Sequence, residues 1–144
     1  MTQYFEQSSR LFATDPFIDA NGSLNTPKYT ANFDATYTYR QWKLRYGLDW
    51  IAAMNSYSYS AVFDPPVNKN DVPFVFDVPD YFLHQLSIQY TGGSWQATFG
   101  VRNLLNKEPP QISSGQYDRV GNAPLYSGYD YLGRTFFLDL SKTF

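Results

Sequence analysis

Between Lys28 and Arg40 the chain changes character at every second residue. Tyr29, Ala31, Phe33, Ala35, Tyr37 and Tyr39 alternate with Thr30, Asn32, Asp34, Thr36 and Thr38. A period of two held this long predicts a β-strand with one apolar and one polar face. After a tight turn at Arg40-Gln41 the pattern restarts. Trp42, Leu44, Tyr46, Leu48, Trp50, Ala52 and Met54 alternate with Lys43, Arg45, Gly47 and Asp49. The parity slips near Asn55, because Tyr57, Tyr59 and Phe63 take odd numbers. That slip predicts a bulge, or a strand rising into a medium where facing no longer matters.

Three further strands follow the same rule. From about Tyr81 to Thr91, Phe82, Leu86, Ile88 and Tyr90 alternate with Gln85, Ser87 and Gln89. Gly92-Gly93 supplies positive φ for a turn, after which Trp95, Ala97, Phe99 and Val101 face away from Gln96, Thr98 and Arg102. The last strand, Arg134 to Phe144, sets Phe136, Leu138, Leu140 and Phe144 against Phe137, Asp139, Ser141 and Thr143. A weaker strand is expected over about residues 3–12.

The connections sort by length. Arg40-Gln41 and Gly92-Gly93-Ser94 are short, whereas about residues 13–27, 64–80 and 105–132 are long and hold most of the prolines. Soluble meanders have no reason to sort their loops this way, but outer-membrane barrels do, with short periplasmic turns and long outer loops. Tyr37, Tyr39, Trp42, Tyr90, Trp95 and Phe144 gather at the short-turn end, as an interfacial girdle would. Strands of about 9–11 residues are the length a tilted transmembrane strand needs. The expected fold class is therefore all-β: an antiparallel up-and-down segment of a transmembrane β-barrel.

Composition narrows the functional classes. The chain of 144 residues is 43% hydrophobic and 19% aromatic but only 17% charged, with 13 Tyr and 12 Phe. Interfacial rings explain such a bias, as would an aromatic-rich soluble β-protein. There is no cysteine, so disulfides and thiolate metal sites are excluded. A net charge of −2 gives no electrostatic footprint for nucleic acid. No run approaches the roughly 18 apolar residues of a transmembrane helix, and residues 1–30 contain no basic-then-apolar signal segment.

At the carboxy-terminal end the residues carry a family resemblance. Gly100-Val101-Arg102-Asn103-Leu104-Leu105-Asn106-Lys107-Glu108-Pro109-Pro110 resembles the G-V-x-N-L-x-[DN]-K-x-P-P segment near the end of TonB-dependent outer-membrane receptors. Arg119-Val120-Gly121-Asn122-Ala123-Pro124-Leu125-Tyr126-Ser127-Gly128-Tyr129-Asp130 is similar to that family's last outer loop. The run Gly133-Arg134-Thr135-Phe136-Phe137 through Phe144 resembles its closing strand. The likeness is firmest over about residues 81–144 and looser over 28–63. Lys142 departs from it, standing where an outward apolar residue is usual; at interface depth its ammonium is expected to snorkel to the headgroups.

The resemblance implies a barrel of about 22 strands with a plugged lumen, of which this chain supplies about six. The plug domain, the box that meets the energy-transducing partner TonB, and the signal peptide would lie upstream. Residues 1–144 are thus expected to form the carboxy-terminal portion of a receptor barrel, with Met1 marking a truncated gene or a fragment. The implied function is TonB-dependent active uptake of a scarce solute such as a siderophore, cobalamin or oligosaccharide. The implied setting is the Gram-negative outer membrane, with lipid and the barrel-assembly machinery as further partners. Phe136, Leu138, Leu140 and Phe144 would form the insertion signal. Two other readings stay open: a small complete barrel of structural or adhesive role, and a soluble up-and-down barrel binding an apolar ligand.

No catalytic constellation emerges and no cofactor is expected. His84 shares the parity of Leu86 and Ile88 and reads as a packing or interfacial histidine. Asp19-Ala20-Asn21-Gly22-Ser23 lacks the remaining ligands of a calcium loop and reads as an Asn-Gly turn. Asp64, Asp71, Asp77 and Asp80 give one outer loop an acidic bias, read as a solvated loop. Asn103-Leu104 with Lys107-Glu108-Pro109-Pro110 should end a strand and start a loop. Tyr117, Asp118, Arg119 and Tyr126 are candidates to touch a ligand at the barrel mouth. Lys43, Arg45, Asp49, Arg102 and Asp139 are expected to line the lumen and to pair with the plug or neighbouring strands.

Overall fold

The computed structural model describes residues 2–4, 8–9, 13, 18–56, 75–112 and 118–144. Its strands in chain order are β1 (Thr2–Tyr4), β2 (Ser8–Ser9), β3 (Ile18–Asp19), β4 (Tyr29–Tyr39), β5 (Trp42–Ile51), β6 (Met54–Asn55), β7 (Asp77–Val78), β8 (Tyr81–Gly92), β9 (Trp95–Arg102), β10 (Arg119–Val120), β11 (Ala123–Pro124) and β12 (Thr135–Lys142). Six of them form one antiparallel sheet in the order β1-β4-β5-β8-β9-β12. The strands follow sequence order, as an up-and-down wall requires. Among the described strands β1 and β12 are its edges, so the sheet is open.

Register fixes which side chains share a face. Tyr37 lies opposite Leu44, Leu44 opposite Ile88, Ile88 opposite Phe99, and Phe99 opposite Leu138. The adjacent row reads Thr38, Lys43, Gln89, Thr98 and Asp139. One face is thus apolar across five strands and its reverse is polar, because successive side chains point to opposite sides. A slip of one residue at any pairing would exchange the faces on that strand. No described element covers the apolar face: Tyr37 is 67% exposed, Leu138 65% and Phe99 45%.

The strand expected to reach Met54 ends instead at Ile51. There Asp80 Oδ1 accepts the Ala53 N–H (3.0 Å) and the Trp50 indole N–H (3.1 Å), so a carboxylate replaces a strand neighbour. The chain then bends, and β6 pairs with β7 outside the main sheet. Ala52 and Met54 are consequently buried rather than lying on the apolar face. The slip expected near Asn55 begins at this break; Tyr57, Tyr59 and Phe63 lie outside the described residues. The weak amino-terminal strand resolves into β1, in the main sheet, and β2, paired with β3.

Most burial sits at the long-loop end. Leu24, Met54, Val78, Tyr81, Ile112 and Tyr129 form one apolar cluster, flanked by Ile51, Phe76 and Leu83. Ile51, Tyr81 and Leu83 belong to the polar-face parity, so the loops fold inward over the outer end of that face. This small core caps the sheet without covering its apolar side.

At the opposite end Arg40 (φ 53°) and Gly93 (φ 58°) each take positive φ at the first central position of a two-residue turn. Nothing lies within 4 Å of where a Cβ on Gly93 would sit. Gly93→Ala should therefore cost the backbone strain alone, about 1–2 kcal/mol, in urea unfolding of the detergent-solubilised protein. Gly100 differs: a Cβ there would overlap the ring of Phe137, directly opposite. Gly100→Ala should cost about 1–3 kcal/mol in the same measurement, and Phe137→Ala should restore most of the loss.

Candidate functional site

The polar face carries the ionisable groups in a fixed pattern. Arg45 and Asp34 stand diagonally across β4 and β5, and Nε and Nη2 of Arg45 both donate to Asp34 Oδ1 (3.0 and 2.7 Å). Both side chains are about half exposed, at 60% and 49%, so solvent screening leaves this pair little net energy. Gln85 Nε2 donates to Asp49 Oδ2 at 2.6 Å. The side chains of Lys43, Arg102 and Asp139 make no hydrogen bond or ion pair among the described residues. All five positions expected to line a lumen share this face.

Two cavities among the described residues open along it. One of about 220 Å³ is lined by Asp34, Arg45, Asp49, Gln85, Arg102 and Phe137, among others. The other, about 500 Å³, lies at the loop end between Ile51, Tyr81, Leu83 and the segment Gly128–Leu132. Asp49 and Arg102 line both.

Asn103 organises the loops above. It is fully buried, at 0% exposure, with φ 52°, a backbone region that asparagine tolerates better than most residues. Its Oδ1 accepts the Lys107 N–H (2.6 Å), and its Nδ2 donates to Lys107 O and to Asp130 Oδ2 (both 2.9 Å). Asp130 Oδ1 accepts the Leu132 N–H, and the Tyr81 hydroxyl donates to Lys107 O. Asn106 Oδ1 accepts the Arg134 N–H (3.0 Å), closing the loop where β12 begins. The motif 103–110 thus does end a strand, and it also clamps the 27-residue return to Asp130. Alternation gave no sign of Asn103, Tyr81 or Tyr129 as organisers; the motif at Asn103 was the available signal.

The ligand-loop candidates separate. Asp118 precedes the β10–β11 hairpin and Arg119 opens it, but Arg119 Nη1 donates to Ile112 O and Asn122 Oδ1, so its guanidinium braces the loop. Tyr126 is 73% exposed at φ 59°, a strained position for a bulky residue. Tyr117 lies outside the described residues. Ser127 Oγ donates to Asn25 Oδ1 (3.0 Å) and accepts the Asn25 N–H (3.2 Å), fastening this loop to the one before β4.

Other expectations find physical explanations. The Tyr46 hydroxyl and His84 Nδ1 form a hydrogen bond at 2.6 Å on the apolar face. Asn21-Gly22 is a turn, with φ 79° at Gly22 and a Ser23 N–H donated to Ala20 O. Asp80 is the structural acceptor described above rather than a solvated loop charge, while Asp64 and Asp71 lie outside the described residues. Phe136, Leu138 and Leu140 project from the apolar face of β12. Lys142 shares their parity, with Nζ 5.1 Å from the Trp95 ring centroid and 4.8 Å from that of Phe144. Its ammonium therefore lies over two ring faces at the short-turn rim.

With this geometry in view, comparison with known proteins is decisive for the family. The model for the TonB dependent receptor-like β-barrel matches residues 3–104. The chain belongs to this family. The match covers β1 through β9, and β12 extends the same antiparallel wall. No curated protein and no solved structure matches the chain. TonB-dependent receptor barrels are outer-membrane proteins that cross with strands, and no helix among the described residues is long and apolar enough to cross. The uncovered apolar face is then the one turned to lipid, and Trp42–Tyr90, with ring centroids 4.8 Å apart, sit at its short-turn rim.

The receptor loops yield two expectations. Asn103→Ala removes three hydrogen bonds from a buried site and leaves Asp130 partly unpaired, each unmet buried group costing about 1–3 kcal/mol. Limited proteolysis of the folded protein should then cut within residues 104–134 several-fold faster. Tyr129 is buried and its hydroxyl has no hydrogen-bond partner among the described residues. Burial, helped by nearby Tyr131 and Tyr81, raises its pKa above the ordinary value of 10.0. The folded state resists losing this proton, so the cap should be unaffected below about pH 10 and lose stability as pH rises further. Burial also raises the pKa of Tyr81 and Tyr131, so ultraviolet difference titration should show a late-titrating group of tyrosines that shrinks by one residue in Tyr129→Phe.

Proposed function

We propose that this chain is the carboxy-terminal wall of a receptor for TonB-dependent active uptake of a scarce solute, in the class of siderophores, cobalamin and oligosaccharides, across the Gram-negative outer membrane. The observation that carries the reading is the division of one sheet into two solvents. Five strands keep an apolar face uncovered, while their reverse carries the ionisable groups Lys43, Arg45, Asp49, Arg102 and Asp139, with loops folded inward over its outer end. A soluble barrel would have to cover the apolar row, and no described element does.

Each group of residues then takes a role. Lys43, Arg45, Asp49, Arg102 and Asp139 line the lumen and meet the plug domain, which TonB displaces from the periplasmic side. Asp118, Arg119 and Tyr126, with Tyr117, belong to the outer loop that meets solute, Tyr126 offering the open ring and Arg119 holding the hairpin. Phe136, Leu138, Leu140 and Phe144 present the terminal strand to the barrel-assembly machinery. The protein works as a transporter and not as an enzyme.

Cells carrying the full receptor should accumulate its solute only while the proton-motive force and TonB are present. The Lys43→Ala, Arg102→Ala double variant should lower that uptake at least threefold at unchanged surface abundance. Uptake that survives an uncoupler, or that ignores this variant, would refute the reading.

A further inference from the structure

We infer that Tyr46, His84 and Arg134 build a site on the lipid-facing wall for one phosphorylated acyl lipid of the outer leaflet, the lipid A of lipopolysaccharide. The inference rests on the outer-membrane reading above, but it concerns the face of the sheet turned away from the solute. The Tyr46–His84 hydrogen bond stands among apolar neighbours. His84 lies opposite Leu48, in the row of Phe33, and Tyr46 lies one row nearer the short turns, opposite Leu86. The rise from Trp42, at the short-turn rim, to Leu48 is about 20 Å along β5, or about 15 Å along the membrane normal at the usual strand tilt. The lipid-facing band of such a wall is about 25 Å tall, so His84 sits in its outer half. Ionisable side chains at that depth are costly and require a partner.

The pair does not satisfy itself. The Tyr46 hydroxyl and a neutral imidazole carry one polar hydrogen each, and the bond at Nδ1 uses only one of them. Whichever group donates, one N–H or O–H is left over. Neither side chain makes a further hydrogen bond among the described residues. The acceptors that a lipid brings to this depth are the ester and amide carbonyls and the hydroxyls at the head of its acyl chains. The leftover donor suits one of these, and the ring contact of Tyr46 with His84, centroids 6.0 Å apart, holds it in place.

Arg134 supplies the charge. It precedes β12 with the parity of Phe136 and Leu138, and it is exposed. Continuing the registers of β8 with β9 and of β9 with β12 past their ends brings His84, Asn103 and Arg134 into one row. Two strand spacings then separate His84 from Arg134, about 10 Å. Asn103, between them, gives its amide to Lys107 and Asp130 and leaves the row open. Both flanks are anchored, because the Leu104 N–H donates to His84 O (2.8 Å) and the Arg134 N–H to Asn106 Oδ1 (3.0 Å). The Arg134 side chain makes no hydrogen bond or ion pair among the described residues. Its length carries the guanidinium outward to headgroup level, where phosphate is the matching anion. A donor for a carbonyl below a donor for a phosphate repeats the vertical order of an acyl lipid. The next row inward, Leu86, Val101 and Phe136, is apolar, as the acyl chain requires.

The test is native mass spectrometry of the detergent-solubilised full receptor after incubation with lipid A, dephosphorylated lipid A, phosphatidylglycerol or phosphatidylethanolamine. Lipid A should be retained, and His84→Phe and Arg134→Gln should each lower the retained fraction about fivefold or more. Dephosphorylated lipid A should bind as weakly to the unaltered receptor as lipid A does to Arg134→Gln. The Arg134 side chain makes no internal bond, so Arg134→Gln keeps the test valid if His84→Phe fails to assemble. Lipid A retention unchanged in Arg134→Gln, or in a folded His84→Phe, would overturn the site. Either phospholipid retained as strongly as lipid A would overturn the assignment to lipid A, and so would retention of no lipid or of a protein chain in its place. Solute uptake per receptor should be the same in both variants, so the uptake measurement in cells judges the receptor reading separately.

Discussion

A backbone N–H placed in hydrocarbon finds no water, so it must find a carbonyl on another strand. That requirement governs the sheet from β4 to β12. It forces full pairing between neighbours, and full pairing fixes register. Register in turn decides which solvent every side chain meets. Tyr37, Leu44, Ile88, Phe99 and Leu138 fall in one row because four successive pairings keep the same phase. Their burial comes from lipid, which is why a chain with so many exposed rings has a small internal core.

The departures from the ladder occur where backbone groups find other partners. At Ala53 the ladder stops because Asp80 offers a carboxylate to the N–H that would have continued it. At Asn103 it stops because a buried amide satisfies Lys107 and reaches Asp130. Both breaks lie at the loop end, and both turn the chain inward over the polar face. The cap and the cavities beneath it follow from those two side chains.

At the other rim the constraint is different. The two-residue turns need positive φ, which Gly93 supplies freely and Arg40 at some cost. Trp42, Tyr90, Trp95 and Phe144 form an aromatic border there, and Lys142 lies against two of these rings. A lysine on the apolar-face parity thus keeps its charge on ring faces at the rim.

The sequence by itself determined the five long strands, their two faces and the end at which loops gather. Those are local properties: period two needs only neighbours in the chain, and glycine turns mark themselves. It also placed Lys43, Arg45, Asp49, Arg102 and Asp139 on one side, since parity alone assigns a face. Tertiary structure decided where β5 ends, that Ala52 and Met54 turn inward, and that Arg119 braces its own hairpin. It also brought Asp49, Arg102, Tyr129 and Tyr131 around one cavity, although up to 82 residues separate them in the chain. Those outcomes depend on hydrogen bonds between distant segments, such as Asp80 to Ala53 and Asn103 to Asp130, and no periodicity in the chain encodes such pairings.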